Sequence, residues 1–575
     1  MKKILTAALS CVLAVTGCAA MFAGCNTTRD ANTLEIRYYI GGFGNEWIEA
    51  AAAAFEEENP GVTVKLIGDN DVTTSVTTYL SSGRQLSDIY FTQSVDWQYY
   101  VSQGWIEPLD DLYNNENNAY PIELSDGSTT TLYDFMIDER KDVPYMPIRP
   151  GQTTSHAWII PWSVQNCGMV YNETIVLNTP HRSSCEHSGN WDHVPTTMSE
   201  LYEYVADLNA AQLKTSDLNP DRPDDDTVIA PFAFGIQQGQ WWLTFPLKVW
   251  WAQYQGVYET SQAARNDGHA VDAKTDDPDE EVYDSYYDFW DFGAPTYNVD
   301  EFTAENGTNV WNQKGIQVAL DTLASLISDG NGNYINCIAN ADEISGEMAE
   351  RAFAYGQSAF IFVGNWIENE MRDFMSDSVS MKAMAVPFLD GSTTDAEGDP
   401  IPSQSVATAA TDENGDPYLV NNNAEMDVIF IPSEAPNKEL AKQFLAFIHS
   451  EDWLLDFTKR TGVQRPFNYD PLDAEDDTFR YSDFVKSSLE LYETADFNIT
   501  EYPMNKGHVS EEEQATYISW IFTYERPELF QGTGSGPCLN GILTKSGAEI
   551  MADVIEETNR QYKIWVDDLG ISDLI

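Results

Sequence analysis

Basic residues are scarce in this chain. Lys and Arg number 31 against 92 Asp and Glu in 575 residues, a formal net charge of −61. A surface of that sign repels polyanions, which argues against nucleic acid and anionic glycans as ligands. It also argues against docking on anionic lipid by charge alone. Neutral solutes meet no such barrier. Cysteine is sparse as well. Beyond residue 25 only Cys167, Cys185, Cys337 and Cys538 remain, too few for a disulfide scaffold. Cys167 and Cys185 are spaced so that they could pair, but nothing requires it. The seven histidines show no ligand spacing. No zinc signature, phosphate-binding loop or Gly-x-Ser-x-Gly element is present, so no cofactor, no metal and no enzymatic activity are expected. Asp395 to Asp399 (DAEGD), Asp412 to Asp416 (DENGD) and Asp217 to Asp226 look like fragments of calcium loops. None completes the twelve-residue pattern, and they read as acidic turns.

Aromatic residues are abundant: 12% of the chain, with 16 Trp and 29 Tyr. The one long apolar run lies at the start. Lys2 and Lys3 precede ILTAALSCVLAVTG (residues 4–17), a stretch short for a membrane span. Two small-residue sites ending in cysteine follow, Val15 to Cys18 (VTGC) and Phe22 to Cys25 (FAGC). Residues 1–25 therefore resemble a bacterial lipoprotein signal, in which the cysteine is acylated. Cys25, followed by polar NTTRD, is the favoured anchor, and 26–33 its tether. Cys18, with Val15 three residues before it, is the alternative. An ordinary cleaved signal, or a membrane helix stretched to residue 24, is the competing reading. The mature chain is expected outside the cytoplasmic membrane, tied to it by acyl chains.

Leu34 to Ile40 alternates at period two, as a strand does. Asn45 is placed to cap a helix carrying Trp47, Ala51 and Phe55, which Asn59-Pro60-Gly61 ends. Val62 to Ile67 is the next strand, so the chain opens β–α–β and favours a parallel sheet. Further strands read at Ser87–Phe91, Ala157–Pro161, Gly168–Tyr171, Ser358–Val363 and Met426–Ile431. Thr197 to Glu200 is a capping box, and helices are expected at 315–327, after Asn437, and over much of 510–565. Turn-rich or acidic stretches at 115–155, 178–195, 215–228, 260–300 and 389–425 read as surface insertions. By length alone three or four domains, or two large lobes, are admissible.

The order of these pieces resembles the extracellular solute-binding lipoproteins of ABC importers, in the carbohydrate-binding, maltose-binding-protein-like branch (family 1). The matching residues are Phe55 to Val64 (FEEENPGVTV), Leu86 to Tyr90 (LSDIY), Gly104 to Asp110 (GWIEPLD), Ile160-Pro161, Val170 to Asn172 (VYN) and Val194 to Leu201 (VPTTMSEL). Later come Phe353 to Phe360 (FAYGQSAF), Gly364-Asn365-Trp366, Asn437 to Leu445 (NKELAKQFL) and Thr461-Gly462 before Pro466. The chain departs from the family in its length and in its large acidic insertions. The resemblance implies an α/β, two-lobed periplasmic-binding-protein-like fold of type II. Each lobe would hold a mostly parallel sheet flanked by helices, with the ligand cleft between lobes. Lobe one would take 33–156 plus 427–480, and lobe two 157–426 plus 481–575.

Ligands of open α/β sheets sit beyond the carboxyl ends of strands. That places Asn45, Glu46, Asn70, Asp96, Trp162, Gln238, Trp241, Trp242, Asn365 and Trp366 as candidate ligand residues. Trp and Tyr can cover the apolar face of a pyranose, while carboxylates and amides bond its hydroxyl rim. Each has a plainer reading. Trp366 follows a buried strand and could be core, although the resemblance implies a cleft-lining ring. Trp241 and Trp242 are adjacent, so one of them faces the interior. Glu46 could serve the helix dipole, and Trp47, Trp250 and Trp251 read as core. The expected activity is capture of a neutral carbohydrate, an oligosaccharide above all, by hinge closure in a monomer, followed by delivery to the ABC permease subunits. A surface glycoside hydrolase with paired carboxylates and a peptide receptor are the alternatives.

Overall fold

The structure is a computed structural model. It describes residues 30–255, 314–390, 419–499 and 541–553, apart from 85, 94, 96, 116, 118, 142, 148–153, 183–188, 238–239, 377, 424–426 and 477. The leader and its cysteines, Cys185, Cys538 and most of the expected helical stretch 510–565 lie outside the described residues. Among the described residues no helix is long and apolar enough to cross a membrane.

Nine strands make the two main sheets: β1 (Thr33–Tyr38), β2 (Thr63–Gly68), β3 (Ile89–Thr92), β4 (Ile160–Pro161), β5 (Cys167–Asn172), β6 (Ala230–Ala233), β7 (Ser358–Gly364), β8 (Met381–Met384) and β9 (Val428–Phe430). The first sheet has the order β2-β1-β3-β9-β4 and the second β6-β7-β5-β8. In β1 the alternating residues Leu34, Ile36 and Tyr38 are buried. They face α1 (Glu46–Glu58), which turns Trp47, Ile48, Ala51 and Phe55 inward. The other face of this sheet carries Tyr90 and Phe430 under Val72, Val76, Trp97 and Trp158. In the second sheet the all-buried strand β7 feeds two cores by the same period-two rule. Phe360 and Phe362 join Trp250, Trp251 and Leu201 on one face, and Ile361 and Val363 join Trp242 and Trp366 on the other. Helix α2 (Met198–Ala211) begins with the expected capping box: Thr197 Oγ1 accepts from the Glu200 backbone N–H, and the Glu200 side chain accepts from that of Thr197. Asn45 and Asn437 stand at helix starts but cap nothing with their side chains. Tertiary partners compete for those amides. Asn45 Oδ1 accepts from the Tyr38 hydroxyl at 2.9 Å, and Asn437 Nδ2 donates to the Thr33 carbonyl at 2.8 Å.

Each sheet is mostly parallel with one reversed strand. β2, β1, β3 and β4 point one way, and β9 lies antiparallel between β3 and β4. In the second sheet β6, β7 and β8 share a direction and β5 opposes it. The reversed strand is in each case the first one entered after the chain leaves the other sheet: β4 leads through 162–166 into β5, and 423–427 lead into β9. The carboxyl end of β4 and the amino end of β5 therefore share one side. It follows that the carboxyl ends of β1 to β4 and those of β6 to β8 meet at the crossings.

The crossings are bonded to each other. Trp162 N–H donates to the Asp427 carbonyl (3.1 Å), and Gln165 N–H donates to Asn423 Oδ1 (2.9 Å). Ser163 Oγ and Gln165 Nε2 both donate to Asp427 Oδ2, at 2.9 and 2.7 Å. Burial pushes the Asp427 carboxyl up to about 7, against the pull of those two donors. It holds its proton in the fold, whereas the unfolded chain releases it near pH 4. The stability it contributes is full below pH 4 and is lost as pH rises through 7. Asp427→Asn keeps an acceptor oxygen and cannot ionise. Relative to wild type it should gain on the order of a few kcal/mol at pH 8 and almost nothing at pH 4, read from urea unfolding at the two pH values. Equal effects at both would contradict a buried neutral carboxyl.

Candidate ligand-binding cleft

The facing strand ends are in contact. After β1 the chain makes a 3-10 turn, Gly41–Phe43. After β7 it runs through Asn365 and Trp366 into the short helix α4 (Ile367–Met371). These two loops touch. Asn369 Nδ2 donates to the Gly42 carbonyl, and a Cβ built on Gly42 would lie 2.4 Å from Trp366 Cβ. Gly364 makes the same allowance on the other side, since its Cβ would lie 2.0 Å from the indole. Two glycines from opposite sheets thus let one tryptophan sit flat at the junction.

Trp366 is 8% exposed. Its ring packs against Trp242 at 6.0 Å and, edge-on, against Phe245 at 6.2 Å. Its Nε1 donates to Glu350 Oε1 at 3.2 Å. Glu350 belongs to helix α3 (Gly346–Ala354), whose first turn is capped by Ser345. Burial, and then the nearby charge of Glu370, hold the Glu350 carboxyl well above the usual carboxylate range. Burial also raises Glu370, whose Oε1 lies 3.3 Å from the point a Gly42 Cβ would occupy. Burial raises Glu368 in turn, opposed by a hydrogen bond from Ser482. Two carboxyls this close cannot both ionise cheaply. Their packing is stabilising while protonated and loses that contribution as pH climbs through the raised values.

The structure brings some of the candidate residues to this junction and not others. Asn365 is buried and donates to the Val164 carbonyl in the first crossing at 3.2 Å. Asn70 is exposed beside the 3-10 turn, its Oδ1 3.5 Å from the Gly41 N–H. Asn45 and Glu46 are exposed at the start of α1, Asn45 engaged by Tyr38. Trp242 lies against Trp366 and under Gly346, whose Cβ would meet its ring at 2.7 Å. Trp162 is placed otherwise. The residue after β4 turns into the first core, is wholly buried, stacks with Trp47 at 5.3 Å and meets Phe43 edge-on at 5.0 Å. Asp96 and Gln238 lie outside the described residues, as does the side chain of Trp241. Sequence reasoning missed Glu350, Glu370, Asn369 and Gly42. Only the Gly41 to Gly44 break hinted that backbone must approach something closely there.

A family model for bacterial extracellular solute-binding proteins matches residues 42–453, well over half of the chain. The chain belongs to that family. Among solved structures, a probable secreted solute-binding lipoprotein from Streptomyces coelicolor shares 15% identity over 92% of this chain and 99% of that one, with a TM-score of 0.51. An ABC transporter solute-binding protein from Thermotoga lettingae, bound with alpha-D-tagatose, shares 14% identity over the same proportions at a TM-score of 0.49. No curated protein sequence matches. The α/β, two-lobed fold of this solute-binding protein agrees with the topology derived above, and its junction is arranged as the jaws of a cleft. Gly42 lies against the Cβ of Trp366, where the two loops meet. Gly42→Ala would drive a methyl into the Trp366 side chain. It should disfavour the shut arrangement by about 1–3 kcal/mol. Small-angle scattering is expected to give a larger radius of gyration than wild type, with an unchanged far-UV spectrum. An unchanged radius would mean that the contact does not hold the jaws together.

Proposed function

We propose that this solute-binding protein is the lipid-anchored receptor of an ABC importer that captures a neutral carbohydrate, of oligosaccharide size, by hinge closure. In this reading residues 1–25 are a lipoprotein signal and Cys25, or else Cys18, carries the acyl anchor. The lobes are 33–156 plus 427–480 and 157–426 plus 481–575, except that the pairing of β4 with β9 puts 157–161 with the first lobe, and the mature chain acts as a monomer that delivers its load to membrane permease subunits without chemistry of its own. The observation that carries it is the juxtaposition of Gly42 and Asn369 across facing strand ends, with the Trp366 ring between a buried carboxyl and the opposing loop. A pyranose needs an indole face and hydrogen-bonding groups at its rim. Trp366, Asn70, Asn365, Asn369 and Glu370 are the groups this junction offers. Parting the loops exposes them together, and a ligand touching both sides favours closure because it binds the closed state better. The charge of −61 fits an uncharged solute better than an anionic one.

A thermal-shift screen against mono- and oligosaccharides tests this. A true ligand at 100 times its dissociation constant adds about 2.7 kcal/mol to stability. Trp366→Ala should abolish the shift, and Trp366→Phe, which keeps a ring but loses the bond to Glu350, should bind roughly tenfold more weakly. No shift with any sugar, or a shift untouched by Trp366→Ala, defeats the reading. New reducing ends released from the sugar would make the protein a hydrolase instead.

A further inference from the structure

A second cluster of polar groups lies on α2, built from different residues. Glu203 and Asp207 stand four residues apart on that helix and so share a face. Across them runs the small hairpin of Pro180–His181 and Gly189–Asn190. His181 Nε2 is 3.3 Å from Glu203 Oε1. One ligand atom from each of His181, Glu203 and Asp207 lies within 4.8 Å of the others.

Four observations set this apart from an ordinary surface ion pair. Asp207 is a carboxylate that is only 6% exposed. Its Oδ2 accepts from the Arg182 backbone N–H (3.1 Å) and from Trp191 Nε1 (3.0 Å). Among the described residues no Lys or Arg neutralises either carboxylate, and the Arg182 side chain gives its Nη2 to the Ala210 carbonyl instead. Two acids and an imidazole therefore converge with a formal deficit of positive charge. The imidazole is fixed from behind by Trp191, whose ring lies 4.5 Å from it at 35°. The 3.3 Å between His181 Nε2 and Glu203 Oε1 is a hydrogen bond in this fold. It also equals the roughly 3.3–3.4 Å between neighbouring ligand atoms bound at 2.0–2.1 Å to a tetrahedral metal, so an ion would replace the shared proton without moving either group.

We propose that His181, Glu203 and Asp207 bind one divalent transition-metal ion, with Zn²⁺ the best match. An imidazole with two carboxylates suits zinc, whereas calcium and magnesium take oxygen ligands. The two carboxylate charges balance the ion. Trp191 and the Arg182 N–H orient Asp207 as outer partners do in metal centres. A fourth position is left to water, and the ion clamps the hairpin to α2.

Equilibrium dialysis of the full chain against ZnCl₂, followed by elemental analysis, tests this. Wild type should retain one zinc more per chain than His181→Ala or Glu203→Gln. Trp191→Phe, which loses only the Nε1 donor, should bind that zinc about 10–100-fold more weakly. Zinc should raise the melting temperature of wild type and not of His181→Ala, with far-UV spectra confirming that the variants are folded. Equal zinc content in wild type and His181→Ala overturns the proposal. So does displacement by equimolar calcium, which would mark plain carboxylate binding.

Discussion

The Asp427 carboxyl, held by Ser163 and Gln165, is where two chain crossings are fastened side by side. Much of the architecture follows from that fastening. Because both passages run through one place, the strand that enters each sheet must run against its neighbours. The remaining strands of both sheets then end at the same place. Strand ends are where backbone groups and loop side chains are free to meet a ligand. The cleft is thus a result of how the chain is routed. A buried acid at such a point is costly unless it is neutral, and burial favours its neutral form against the pull of the two donors.

The strands and several helices were legible because their signals are local. Period two picked out β1, the short run 358–363 ended by Gly364 became β7, and the Thr197 capping box needed only four residues. The reversal of β5 and β9 was not legible, since nothing in a strand's own residues records its direction. Asn45 and Asn437 looked like caps and stand at helix starts, but Tyr38 and Thr33 took their side chains. Both partners are close in space for reasons that lie outside the helices.

The junction between the sheets was legible in part. Trp366 was picked out by its place after a buried strand and by the resemblance, and Trp242 by its place in the loop after a strand. Trp162 carried the same local signal yet belongs to the first core, because the pocket of Phe43, Trp47 and Phe457 was already shaped for a ring. Glu350 and Glu370 gave no warning. In an acidic chain two more glutamates are background until folding presses them together beneath an indole. The glycines at 42 and 364 speak only through what a side chain there would strike.

The position of β9 has a consequence for how the molecule is made. It fills the gap between β3 and β4, yet the chain builds the whole second sheet before reaching it. The first sheet stays unfinished until residue 430 has been synthesised, with two strand edges waiting for a partner. Long waits of this kind slow folding and expose edges that other chains could join. Pairing between remote segments, rather than the chemistry of capture, is therefore the step at which this molecule is most vulnerable to aggregation.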